Sequence, residues 1–175
     1  MACGTLVAGV QTVQLESATP TISIRALERG EDASAFRVLN EEWITRHFTL
    51  EAVDREVLND PDGRILARGG TILMAYADGA AVGTVALIPQ GDGVYELSKM
   101  AVSPGLRGLG IGRRLIERSI AYAREIGATS LFLGSSTKLP NAVHLYESVG
   151  FRHVPPSSLP GIHYSRADVF MVMEL

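Results

Sequence analysis

Cysteine is almost absent from this chain of 175 residues, since Cys3 is the only one. An intrachain disulfide is therefore excluded, and so is a metal site built from several thiolates. The four histidines, at positions 47, 144, 153 and 163, lack metal-ligand spacing, so no metal is expected. The low cysteine content suits a reducing compartment, and we expect a cytoplasmic protein.

Long apolar runs and an early basic region are also missing. No stretch of about 18 apolar residues occurs, so neither a membrane-spanning helix nor a membrane partner is expected. The first basic residue is Arg25, and the apolar run from Leu6 to Val10 is too short for the core of a signal peptide. Residues 1–20 are therefore predicted to be a disordered extension, and residues 21–175 a single domain.

An excess of positive charge is lacking as well, because the formal net charge is −3. Nucleic acid is thus not an expected partner, since phosphate binding needs a concentrated basic surface. The charges are unevenly distributed: arginines cluster between Gly105 and Arg118, and acids dominate between Glu28 and Asp62. The basic segment predicts an anion site. The acidic segment fits a cationic amine or, in the simpler interpretation, solvated helix faces.

Hydrophobic periodicity predicts an α/β (α+β) domain with the element order βααβββαβαβ. The first helix carries Phe36, Leu39 and Trp43 on one face, and the second begins on a Thr cap and ends at Asn-Asp-Pro-Asp-Gly. Turn residues between the next three strands predict an antiparallel meander. The longest helix follows, and its buried face is predicted to consist of Ile111, Leu115, Ile116, Ser119, Ile120 and Ala123.

A glycine-rich loop joins the meander to that long helix. The N-terminus of a helix leaves backbone N–H groups unpaired and carries partial positive charge, so it favours anions. Gly108, Gly110 and Gly112 would let a phosphate approach the backbone, and Arg107, Arg113 and Arg114 would add charge. Neither the Walker A spacing nor the Rossmann G-x-G-x-x-G spacing is met. A nucleotide-binding regulator is therefore disfavoured.

The loop resembles motif A of the GCN5-related N-acetyltransferase (GNAT) superfamily, whose signature is [QR]-x-x-G-x-[GA]. Arg107, Gly110 and Gly112 match it, directly after a strand and at the start of a helix. The segment LYESVGF, residues 145–151, resembles motif B, and the order of elements is similar to the superfamily's fold from Thr21 to Leu175. The resemblance implies a mixed, mostly antiparallel central sheet flanked by helices.

The resemblance also implies acetyl-coenzyme A as co-substrate. Its pantetheine arm would pair with the backbone of Met100, Ala101 and Val102, where the fourth strand splays from the fifth. Its pyrophosphate would lie on the amides of Arg107, Gly108, Leu109, Gly110, Ile111, Gly112 and Arg113. Many members bind the arm with an asparagine where this chain has Leu139. Asn141 takes over that contact or caps the following helix.

Acetyl transfer needs a neutral amine, and removing the proton from a lysine-like amine at pH 7 costs about 4 to 5 kcal/mol. The position of Glu96 resembles that of the general base in histone acetyltransferases of the superfamily; the alternative is a polar strand residue that points at solvent or pairs with Lys99 or an arginine. Tyr146 resembles the tyrosine that many members use as general acid; the alternative is a core ring. A backbone N–H near a bulge in the fourth strand would stabilise the oxyanion.

The expected activity is N-acetylation of a primary amine by direct attack in a ternary complex. By resemblance, Trp43, His47 and Phe48 form a wall of the acceptor site, although a helix tryptophan is also a common core residue. The segment with His163, Tyr164 and Arg166 often borders that site in the superfamily. The alternative function is a non-catalytic acyl-coenzyme A-binding regulatory module of the same fold. The resemblance also suggests a homodimer, but it names no acceptor.

Overall fold

The computed structural model describes residues 19–106, 108–161 and 164–175, so the predicted extension lies almost entirely outside the described residues. Strands and helices follow one another along the chain largely in the predicted order. The strands are β1 (Ile22–Ala26), β2 (Thr71–Ala77), β3 (Ala80–Gly91), β4 (Val94–Val102), β5 (Ser130–Ser135), β6 (Arg152–His153) and β7 (Val169–Glu174). The α-helices are α1 (Ser34–His47), α2 (Ala52–Asn59), α3 (Pro61–Arg64), α4 (Ile111–Glu125) and α5 (Pro140–Ser148).

The strands form one sheet in the order β1-β2-β3-β4-β5-β7-β6. Neighbouring strands are antiparallel except β4 and β5, which are parallel. The parallel pair follows from the chain path, because α4 carries the chain across the sheet between β4 and β5. The predicted meander of β2, β3 and β4 and the mixed, mostly antiparallel sheet are confirmed.

One local expectation was wrong, and two short elements are additional to the predicted order. The second helix is capped by Glu51, whose side chain forms a reciprocal capping box with Asp54, and not by a threonine. The predicted breaker ends that helix but also starts α3, because Asp60 caps the new turn and Pro61 occupies its first position. The short strand β6 is also additional to the predicted order.

The sheet buries one apolar cluster on each face. The cluster under α4 includes five of the six residues predicted for the buried face of that helix. The sixth, Ser119, is also buried. Under α1 and α2 the other cluster includes Phe36, Leu39, Ile44 and Leu58. Trp43 is only partly buried beside this second cluster. The two helical layers thereby hold β4 at the middle of the sheet between them.

Candidate active site

A cleft opens at the centre of the sheet. β4 and β5 pair only from Val94 to Glu96, where Glu96 faces Phe132, and no further pairing follows between them. Beyond this point the strands separate, as the resemblance implied. The cleft has a cavity volume of about 100 Å³ and opens to solvent.

The glycine-rich loop before α4 lies beside the cleft, because Gly112 packs against Met100, a residue of the cleft lining. Gly108 and Gly110 have φ of +87° and +72°, and a Cβ added at either would meet nothing within 4 Å. Gly110 is the N-cap of α4, and among the described residues no side chain forms a capping hydrogen bond at this end. The first N–H groups of α4 therefore remain available to an anion. Arg107 lies outside the described residues.

The neighbouring arginines mainly bind other parts of the chain. Arg113 donates to the hydroxyl of Ser148 at 2.8 Å, and Arg114 donates to the carbonyl of Ile22 at 3.0 Å. Gly112 allows close packing, because a Cβ there would lie 3.2 Å from the Cε of Met100. These contacts fix α4 against β1, β4 and α5, so that the helix N-terminus is held at the cleft.

β4 contains a β-bulge where it borders the cleft. Its pairing with β3 passes from Ser98 opposite Ala86 to Ala101 opposite Thr84, so Lys99 and Met100 share one partner. Lys99 has φ of +51°, a left-handed conformation that non-glycine residues rarely adopt. The resemblance had implied this bulge. It interrupts the strand ladder beside the residues predicted to bind the pantetheine arm.

Glu96 lies on the α1 side of the sheet and lines the cleft. Leu97 is buried in the cluster under α4, and alternate strand residues point to opposite faces. The amide of Gln90 donates to the Glu96 carboxylate at 3.4 Å. The alternative in which Lys99 pairs with Glu96 is wrong, because the Lys99 ammonium binds Asp54 and Tyr164.

Tyr146 reaches the opposite wall of the cleft from α5. Its ring packs edge-on against Phe151, with centroids 6.0 Å apart, and its hydroxyl lies 3.8 Å from the sulfur of Met100. Burial raises the pKa of Tyr146 to about 12. The ring therefore contributes to packing, while the protonated hydroxyl lies beside the bulge of β4.

The aromatic residues at the end of α1 lie together. Trp43 and Phe48 line the cleft. The ring centroid of Trp43 lies 5.2 Å from that of His47 and 6.1 Å from that of Phe48. Asn141 is exposed near the start of α5. It does not cap the helix, since the N-cap is Leu139 and no side-chain bond caps this end.

A buried ionic cluster adjoins the cleft, and the sequence did not predict it. Asp54 of α2 is fully buried and accepts bonds from Lys99 at 2.8 Å and from both terminal nitrogens of Arg166 at 2.7 and 2.9 Å. Lys99 also donates to the hydroxyl of Tyr164 at 2.6 Å, and Arg166 binds Glu51 at 3.2 Å. The cluster joins α2, the bulge of β4 and the segment before β7.

The protonation state of the cluster follows from these bonds. Burial by itself would raise the pKa of Asp54, but the hydrogen bonds from Arg166 and Lys99 outweigh it and lower that pKa to about 2. The same pairing raises the pKa of Arg166 despite its burial. Asp54 is therefore a carboxylate across the physiological range, with two cations bound to it.

The acidic segment from Glu28 to Asp62 does not line the cleft with negative charge, since none of its acids is among the lining residues. Most of its ion pairs are on the surface. They are Glu31 with Arg25, Glu42 with Arg46, Glu56 with Arg64 and Asp62 with Arg29. These contacts support the simpler interpretation of solvated helix faces.

The family is decided by comparison with known proteins. A model of the acetyltransferase (GNAT) family matches residues 33–151. The chain belongs to this family. An uncharacterised N-acetyltransferase of Schizosaccharomyces pombe is 32% identical over 156 residues, which cover 85% of this chain and 95% of that protein. The family resemblance drawn from the glycine loop and LYESVGF is thereby confirmed.

Solved structures share the fold. A GNAT acetyltransferase from Staphylococcus aureus Mu50 superposes with a TM-score of 0.79 and 23% identity, covering 88% of this chain and 99% of that one. The PaiA N-acetyltransferase from Thermoplasma acidophilum, solved in complex with coenzyme A, has a TM-score of 0.68 and 18% identity, covering 89% and 99%. The predicted fold class is confirmed.

The described residues contain neither a membrane-spanning helix nor a candidate metal site. None of the helices in residues 19–106, 108–161 and 164–175 has the length and apolar character needed to span a bilayer. In the same residues, no three side chains of His, Cys, Asp or Glu are grouped so that they could hold a metal ion.

Proposed function

We propose that this protein transfers acetyl from acetyl-coenzyme A to a primary amine of a small molecule or peptide. The observation that carries the proposal is the cleft where β4 and β5 separate, which Glu96 lines and which lies beside the uncapped N-terminus of α4. Family membership and the coenzyme A bound to the Thermoplasma acidophilum relative support it.

The donor would be held mainly by backbone. The open space beside Gly108 and Gly110 and the uncapped N-terminus of α4 fit a pyrophosphate. The strand edge from Met100 to Val102 would pair with the amide groups of the pantetheine arm, because β5 no longer occupies that edge. Asn141, exposed at the start of α5, is a further candidate for the arm.

Glu96 would act as the base. Its carboxylate lies in the cleft, where it would accept a proton from the ammonium of the acceptor, directly or through water. The neutral amine would then attack the thioester carbonyl. A backbone N–H near the bulge, between Met100 and Val102, would donate to the oxyanion as it forms.

Tyr146 would assist the departure of the thiolate. Because burial raises its pKa to about 12, the hydroxyl stays protonated at neutral pH and can donate a hydrogen bond to sulfur. No covalent acyl-enzyme is proposed, since the only cysteine, Cys3, lies outside the matched region of residues 33–151. Direct attack of the amine on the thioester in a ternary complex transfers the acetyl group without such an intermediate.

The first test is release of free thiol from acetyl-coenzyme A in the presence of amines of different classes, with the acetylated product identified by mass. Acceleration by one class supports the proposal. Binding of acetyl-coenzyme A without release by any amine would contradict it and favour the alternative, a non-catalytic acyl-coenzyme A-binding regulatory module.

The role of Glu96 is tested with Glu96→Gln. We expect kcat/KM to fall about 10²-fold or more, with the greatest loss at low pH, where fewer acceptor molecules are already neutral. The matched control is Glu56→Gln on the surface of α2, which should leave the pH profile unchanged. An unchanged profile for Glu96→Gln would exclude Glu96 as the base.

A further inference from the structure

A second hollow adjoins the acceptor side of the cleft. It lies between the end of α1, the residues before α2 and the segments around Lys138 and Arg166, and it has a cavity volume of about 530 Å³ that is open to solvent. Phe48 and Arg166 line both this hollow and the cleft that contains Glu96. The two cavities therefore adjoin each other at these two side chains.

The charges around the hollow are mostly positive. Arg46, Lys138 and Arg166 line it, and Glu51 is its only acidic residue in the described chain. Arg46 is bound to Glu42 at 3.0 Å, outside the hollow. Arg166 is shared between Asp54 and Glu51, although part of its side chain stays exposed. The positive charge of these two side chains is thus partly neutralised by their partners.

Lys138 differs from these arginines. Its ammonium lies 5.9 Å from the centre of the Phe48 ring, and it forms no ion pair with any described residue. The residue is exposed in the turn that precedes α5. A cation in a concave surface, without a carboxylate partner of its own, attracts an anionic group of a ligand.

We propose that the amine acceptor carries an anionic group, a carboxylate or a phosphate, which Lys138 and Arg166 bind while the amine reaches Glu96. This inference rests on the proposed function. It names the acceptor class as amino acids and related acidic amines, in place of polyamines. The aromatic rings of Trp43 and Phe48 would contact the part of the acceptor between its two charged groups.

The test compares acceptors in matched pairs. Amino carboxylates with one to five methylenes between the two groups are each compared with the methyl ester of the same compound, and phosphoethanolamine is compared with ethanolamine. We expect kcat/KM to be at least tenfold higher for the acidic member of one series. The carboxylate and phosphate series show which anion the hollow prefers.

The assignment to Lys138 is tested by Lys138→Glu, which changes an exposed residue. We expect the ratio of kcat/KM between acidic and uncharged acceptors to fall at least tenfold, mainly through KM of the acidic acceptor. The control, Arg124→Glu, makes the same charge reversal at an exposed position on α4 that lies outside both cavities, and should leave the ratio unchanged.

The outcomes separate the two proposals. If amines are acetylated but the acidic and uncharged members react equally, or a diamine is preferred, the inference about the acceptor is wrong and the proposed function stands. It is also wrong if Lys138→Glu preserves the preference for acids. If no amine of either series or of the wider panel is acetylated, the proposed function fails and the inference fails with it.

Discussion

The two sides of the proposed active site are constructed in different ways. The side assigned to the donor consists of glycines at positive φ, an uncapped helix N-terminus and an unpaired strand edge, so its recognition groups are backbone amides. The side assigned to the acceptor consists of charged and aromatic side chains from α1, α2, β4 and residues 164–166. The main chain thus forms one half and side chains form the other.

The two sides have different tasks, since one binds the donor and the other selects the acceptor. Backbone N–H groups bind phosphate through geometry alone, so the donor half depends on a few residues that permit the right path of the chain. The acceptor half depends on side-chain identity, because charge and shape there decide which amine fits. Substitutions should therefore act on donor affinity in one half, and on stability and acceptor choice in the other.

The largest effect is expected from Asp54→Ala. Removing this carboxylate leaves the buried Lys99 without its counterion and Arg166 with only Glu51, and breaking a buried pair in this way costs about 3–5 kcal/mol. We expect the free energy of unfolding, measured with urea, to fall by this amount. The matched control is Asp62→Ala, which breaks an exposed pair with Arg29 and should cost much less. Equal losses would mean that the cluster contributes no more than a surface pair.

A smaller loss of stability is expected when the pH is lowered. The pKa of Asp54 is lowered to about 2, so the folded state binds this proton more weakly than the unfolded chain does. The resulting stability, about 2 kcal/mol, is present above about pH 4 and is lost as the pH falls through 2. Urea unfolding of the wild type and of Asp54→Asn between pH 5 and 2 isolates it. The difference between the two proteins should shrink in this window, and a constant difference would refute the assignment.

On the donor side, Gly110→Ala is expected to weaken acetyl-coenzyme A binding about tenfold. An alanine at φ of +72° costs about 1–2 kcal/mol and shifts the backbone where α4 begins. Gly79→Ala is the matched control, because Gly79 has φ of +87° and equally open surroundings but lies in the turn between β2 and β3. Both variants should lose similar stability, and only Gly110→Ala should change the Kd measured by calorimetry. A change of Kd in both would mean that strain acts through global stability.

The same contrast explains what the sequence predicted. The glycine loop and the buried face of α4 are each formed by residues close together in the sequence, so residue spacing and hydrophobic periodicity predicted both. Asp54, Lys99 and Arg166 belong to three segments with no shared period, and the fold alone brings them together. The bulge in β4 makes this prediction harder. Its extra residue changes which side chains face α2, and the bulge is recognised only when the pairing of β3 with β4 is known.

The smallest effect is expected where the two halves meet, at Tyr146. Its hydroxyl lies beside Met100 at the bulge, and a buried phenol with a pKa of about 12 is a weak acid for a thiolate that is stable by itself. Tyr146→Phe should therefore lower kcat by about threefold to tenfold with little change in KM, since a hydrogen bond to the leaving sulfur acts mainly in the transition state. Tyr122→Phe, on α4 outside the cleft, should change neither constant. If Tyr146→Phe retains full kcat, the hydroxyl has no catalytic role, and the ring serves only to pack α5 against Phe151.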